Sequence, residues 1–167
     1  METIAAWLTG RLPDEWFEGE PEIAVDKDEI TIVGRVPLPE LPADADDKAR
    51  RAAEIGRIKR WREETREARM RIADEGQPQF GRSFAWGARC GDTRVVFTNL
   101  SVPVMTRLRQ PDRIVLDTLV DAGVARSRSD ALAWCVRLVG QHEADWLQQL
   151  KDALVGVQQA REAGPSA

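Results

Sequence analysis

Histidine is almost missing from this chain: His142 stands alone, with no second ligand at helical spacing, so neither a histidine-built metal site nor a histidine-based triad is expected. Cysteine is limited to Cys90 and Cys135, which lie far apart and outside any CxxC or Cys/His cluster. Zinc is therefore not expected, and a reducing cytoplasm suits the pair best. No apolar run approaches the ~20 residues of a membrane span, and the first ten residues carry Glu2 where a secretory leader has a basic region. A membrane or secreted protein is not expected. Also missing are a glycine-rich phosphate loop and a convincing pair of acid and base carboxylates, so the sequence predicts no enzyme and no cofactor. Lysine is scarce, 4 residues against 20 arginines, a usage that together with abundant Ala, Val and Asp points to a high-GC bacterial genome.

What is present describes a folded protein. The 167 residues are 43% hydrophobic and 31% charged, far from the composition of disordered chains and enough for one sizeable core or two small ones. The formal charge of −4 hides a polarised distribution: residues 1–47 hold 13 acids and 3 bases, whereas residues 48–137 hold 11 acids and 19 bases. A basic middle favours phosphate contacts, and the acidic leader is placed to screen it.

Along the chain, Trp7, Leu8, Leu12, Trp16 and Phe17 make the first twenty residues an arm that packs on something. Near-alternation in 22–26 and 29–36 around Asp26, Lys27 and Asp28 predicts a β-hairpin. Pro37, Pro39 and Pro42, followed by Asp44, Asp46 and Asp47, form a stiff acidic loop leading to a helix N-terminus. One amphipathic helix is expected from Lys48 to about Glu75, its stripe Ile55, Ile58, Trp61, Thr65, Ala68 and Ile72, ended by Gly76, Gln77 and Pro78. Runs 83–90 and 93–99, joined by Gly91 and Asp92, predict a second hairpin. The fold class is thus α+β: residues 1–100 form a small ββαββ lobe in which the long helix covers an antiparallel sheet. Residues 101–140 read as strand, helix, helix, and residues 141–167 as a C-terminal helix and tail that frays at Gly164 and Pro165.

In the second lobe, residues 102–108 suit one short strand, Pro111 and Asp112 a helix first turn, Gly123 its end, and Ser127 with Asp130 a capping pattern for the next helix. Gly140 is placed to loosen or break that helix. A last helical stretch from about Glu143 carries Leu147, Leu150, Leu154 and Val157 on one side. A lone strand with two short helices cannot bury its apolar face by itself, so a second copy is expected. On Val104 to Leu108, on Leu119 to Ala125 and on Arg126 to Leu132, residues 102–140 resemble the ribbon-helix-helix superfamily. That resemblance implies two intertwined chains whose strands pair into an antiparallel ribbon that enters the DNA major groove. It implies a dimer core of Val104, Leu108, Leu116, Leu119, Leu132, Cys135 and Val136, with base contacts from Arg107 and Met105. Arginine is the strong reader of the two, through bidentate pairing with guanine.

At the second helix start, exposed N–H groups and the helix dipole, flanked by Arg126 and Arg128, predict phosphate contacts from Arg126, Ser127, Arg128 and Ser129; alternatively Ser127 only caps and the arginines are solvated. Lys59, Arg62, Arg66 and Arg69 recur at steps of three and four as an auxiliary basic surface, or as a solvated face balanced by Glu63, Glu64 and Glu67. Trp61 and Trp86 either stack bases or belong to the core. The sequence thus predicts a homodimeric, cytoplasmic DNA-binding protein acting in transcription regulation. The alternative is a dimeric interaction protein that meets a protein or ribonucleoprotein partner, with the N-terminal lobe as the docking surface.

Overall fold

The computed structural model describes residues 2–42, 44–98 and 100–163, which group into two compact units, Met1–Pro103 and Val104–Ala167. The fold is α+β. In the first unit, helix α1 (Glu2–Arg11) and a 3-10 turn (Asp14–Trp16) precede strands β1 (Glu22–Val25) and β2 (Glu29–Arg35). Helices α2 (Asp47–Glu64) and α3 (Arg66–Phe80) follow, then strands β3 (Ser83–Cys90) and β4 (Thr93–Val96). The four strands form one sheet in the order β1-β2-β3-β4.

Both hairpins form as expected, but the sheet is not antiparallel throughout. The β1/β2 and β3/β4 pairs are antiparallel, whereas β2 and β3 run parallel, in register from Glu29 opposite Ser83 to Arg35 opposite Arg89. The reason is the crossover: a parallel pair needs a long connection, and α2 with α3 supplies it. Alternation on β2 and β3 puts Ile30, Ile32, Phe84, Trp86, Ala88 and Cys90 into the core with Leu8, Ile58, Trp61 and Ile72 from the helices.

The single long helix is interrupted at Thr65, whose hydroxyl donates to the Trp61 carbonyl at 2.7 Å, a back-bond that bends helices. The helix also runs past Gly76 and Pro78 and stops at Gly81, which adopts φ +63 and donates its N–H to Gln77 O at 2.9 Å. Gly76 is a packing residue: a Cβ there would stand 2.4 Å from Phe84 Cζ. Ile55, assigned by periodicity to the buried stripe, is exposed.

The aromatic arm is α1 and its following turn. Leu8 is fully buried, Trp7 meets Phe80 and Phe84 edge-on at 5.3 and 6.0 Å, and Arg11 grips Glu75 through two bonds of 2.6 Å. At the other end, Asp46 accepts from Ala49 N at 2.7 Å and caps α2.

In the second unit, α4 (Gln110–Asp121) and α5 (Arg128–His142) are followed by α6 (Ala144–Ala163). The α4 end is a complete Schellman motif: Gly123, at φ +74, donates to Val120 O and Val124 donates to Leu119 O, both at 3.0 Å. Helix α5 continues through Gly140, and the break falls at Glu143. The strand expected at 102–108 is not formed; the segment is irregular, because a strand needs a ladder partner and the described residues of this unit contain none. The end of the run 93–99, at Asn99, and the fraying assigned to Gly164 and Pro165 fall outside the described residues. No helix among the described residues is long and apolar enough to cross a membrane.

Candidate functional site

The second unit has very little interior. Leu116, Ala125 and Ala131 are buried, with Leu108, Leu119, Val120, Leu132 and Cys135 packed partly against them. Of the residues assigned to the dimer core, Leu116 is buried, while Leu108, Leu119, Leu132 and Cys135 are half-buried. Val104 and Val136 are exposed at 86% and 66%, and Met105 reaches 97%. Among the described residues, no backbone hydrogen bond is made by residues 101–107, and Leu108 O accepts only from the Arg113 guanidinium at 2.8 Å. The result is an unpaired segment beside a shallow cavity of ≈ 340 Å³ whose lining mixes apolar Val104, Met105, Leu108, Leu116 and Leu132 with Thr106, Arg113, Arg128 and Ser129.

The residues assigned to phosphate contacts are only partly free. Ser127 is the α5 N-cap, its hydroxyl accepting from Asp130 N at 3.2 Å. Arg128 is tied to Asp117 of α4 through bonds of 2.6 and 2.7 Å, which holds the Asp117 carboxyl below the usual aspartate range. Arg126 is 3.8 Å from Asp130 and otherwise extends into solvent, and Ser129 is exposed. Arg107 and Arg109 are exposed, and among the described residues neither has a carboxylate within ion-pair distance.

In the first unit, the basic row predicted on the long helix divides. Lys59, Arg62 and Arg66 are exposed, but Arg69 is only 7% exposed and does not belong to a solvated edge. It lies one helical step from Thr65 and two from Trp61, on the core side of the helix pair. Its Nε donates to Thr65 Oγ1 at 2.9 Å and its Nη2 to Arg62 O at 2.7 Å. Its guanidinium sits over the rings of Trp61 and Phe97, 5.6 and 5.3 Å from their centres, and Arg62 lies over Phe97 at 5.3 Å. Burial first, then repulsion from Arg62 and Arg66, lowers the Arg69 pKa to about 10, which leaves it cationic at neutral pH.

Trp61 and Trp86 are core residues. With Trp16, Phe17 and Phe97 they form an aromatic cluster, Trp16 meeting them edge-on at 5.6 and 6.0 Å. Sequence reasoning missed this arginine-aromatic assembly, although its signal was present: Trp61, Thr65 and Arg69 repeat at four-residue steps and share one face.

Two family models together match most of the chain: the N-terminal domain of the Rv1265-like protein over residues 2–96 and the Mb1296 C-terminal domain over residues 109–161. The uncharacterized proteins Rv1265 of Mycobacterium tuberculosis and Mb1296 of Mycobacterium bovis are each 54% identical to it over 161 residues, covering 96% of this chain and 70% of the relative. No solved structure matches the chain at a significant level. The resemblance to the ribbon-helix-helix superfamily is overturned: residues 109–161 match a different family, no ribbon-helix-helix family is found, and the strand that anchored the resemblance is not formed. A short strand-helix-helix pattern with a capped second helix is degenerate enough to arise outside that superfamily. By matches to both halves and by its mycobacterial relatives, this chain belongs to the Rv1265-like family.

Proposed function

We propose that this is a non-catalytic protein that pairs with a second copy of itself through residues 104–136 and binds duplex nucleic acid with the paired surface. The observation that carries this reading is the segment from Val104 to Arg107: Val104 and Met105 are exposed, and among the described residues its backbone groups make no hydrogen bond to other backbone. Two such segments laid antiparallel would satisfy each other's N–H and C=O groups. They would also seat Val104, together with Val136 of α5, in a shared interior. Burial is worth about 25 cal/mol per Å² of apolar surface, so a three-residue cluster gains substantially from a second copy.

The same pairing would add a second copy of Arg107 and Arg109, which have no carboxylate within ion-pair distance among the described residues, and of Arg126, which is paired with Asp130 only at 3.8 Å. Such guanidiniums suit phosphate contacts, and Arg107 suits base edges.

The test is solution mass combined with duplex binding over a salt series. The expected result is a dimer whose affinity falls steeply with salt and drops when Arg107 becomes Ala, with a salt slope smaller by about 1 for each lost phosphate contact. A folded monomer at micromolar concentration would remove the pairing. The exposed Met105 and the missing donor at Pro103 favour a second reading, a dimer that docks on a protein. A dimer with no affinity for duplex, retained by a protein partner after nuclease treatment, selects it.

A further inference from the structure

Arg62, Glu63, Arg66, Arg69, Met70, Phe97 and Thr98 surround an open cavity of ≈ 360 Å³ on the first unit. Three guanidiniums border it against one carboxylate, and among the described residues none of the three is within ion-pair distance of an acid. We propose that this cavity is a phosphate-binding site, with Arg69 as its buried floor and Arg62 and Arg66 as its exposed arms.

The argument starts from what is unusual about Arg69. A guanidinium taken out of water is costly unless a carboxylate or several acceptors compensate it. Arg69 has two neutral acceptors, Thr65 Oγ1 and Arg62 O, and two aromatic faces, while Arg62 and Arg66 add like charge beside it. These bonds and rings fix its plane without neutralising it. Arg62, whose side chain is exposed, lies over Phe97 as well. Guanidiniums without ion-pair partners gathered at the rim of a cavity, with one of them fixed in plane, match the tetrahedral oxygens of a phosphate group, which accept bidentate N–H pairs. Trp61 Nε1, the buried side-chain donor left without an acceptor among the described residues, belongs to the same aromatic cluster.

The phosphate group has two possible sources, a small phosphorylated molecule or the backbone of a nucleic acid. This inference does not rest on pairing between copies. A monomeric chain that binds phosphate keeps it and removes the dimer proposal.

The experiment titrates the full chain with inorganic phosphate, at ionic strength held constant with chloride, and reads tryptophan fluorescence and the melting temperature. Phosphate is expected to change the fluorescence and raise the melting temperature, and Arg66→Gln, an exposed substitution, to weaken the apparent affinity about tenfold. Arg69→Met is expected to abolish the response while leaving the ligand-free melting temperature equal or higher, since a buried charge is removed. Should Arg69→Met not fold, Arg66→Gln decides. Equal responses to phosphate and chloride, or a phosphate response untouched by Arg66→Gln and Arg62→Gln together, overturn the site. A short DNA duplex added in competition then separates the sources. Displacement by phosphate identifies a backbone site, and simultaneous binding a site for a small phosphorylated ligand.

Discussion

Arg128 of α5 clasps Asp117 of α4 fork to fork, Nε to Oδ1 at 2.6 Å and Nη2 to Oδ2 at 2.7 Å. The pair closes the helical hairpin of the second unit and at the same time occupies an arginine that stands beside a helix N-terminus.

Because this contact holds the Asp117 carboxyl below the unperturbed value of 3.8, its stabilisation is complete above that pH and is lost as pH falls from there through the lowered value. Asp117→Asn should lower the melting temperature of the second unit at pH 7, and the difference from wild type should vanish in strong acid. Circular-dichroism melts at both pH values check this. If the chain binds duplex as proposed, the same substitution frees Arg128 and strengthens binding at low salt, so the two readouts move in opposite directions.

Val104 is exposed at 86% in the single chain, so a charge there disturbs nothing within one copy. Val104→Asp should leave helicity unchanged and shift light-scattering mass from dimer to monomer. An unchanged dimer would place the pairing surface elsewhere.

Gly76 lies where α3 presses on the sheet, with Phe84 Cζ only 2.4 Å from a Cβ built on it and Trp7 at 3.0 Å. Although glycine is a poor helix former, by roughly 1 kcal/mol against alanine, a larger side chain must displace packed rings. Gly76→Val is expected to destabilise the first unit by about 2 kcal/mol, measured by urea unfolding.

Leu8 tests whether α1 belongs to the core. Its complete burial predicts that Leu8→Ala costs about 2–5 kcal/mol, as a core truncation does. An effect within a few tenths of a kcal/mol would mean that α1 is dispensable to the fold.

Local chemistry explains what could be read from the residues alone. The Gly91-Asp92 turn, the Gly123 helix end and the Ser127 cap each rest on contacts within a few residues, and the structure contains all three. The parallel pairing of β2 with β3 depends on where a helical crossover lands, which no local signal encodes. Gly76 and Pro78 look like a helix terminus in isolation, yet tertiary contact with Phe84 requires the first, and the helix runs through the second to Phe80. The basic row was legible as a pattern, but whether each arginine meets water or rings depended on Phe97, which comes from a distant segment. Residues 102–108 alternate like a strand, and alternation cannot say whether a partner strand is present.

The mixed sheet also sets the order in which the first unit can assemble. Its outer pairs are hairpins closed by short turns, whereas the central seam from Glu29 and Ser83 shuts a loop of roughly fifty residues. That entropy must be met before the seam's contacts compensate it, so the two hairpins can form early and the β2/β3 junction completes last. Until then the inner edges of both hairpins stay open to strangers, and crowding during refolding will show itself as aggregation through β2 and β3.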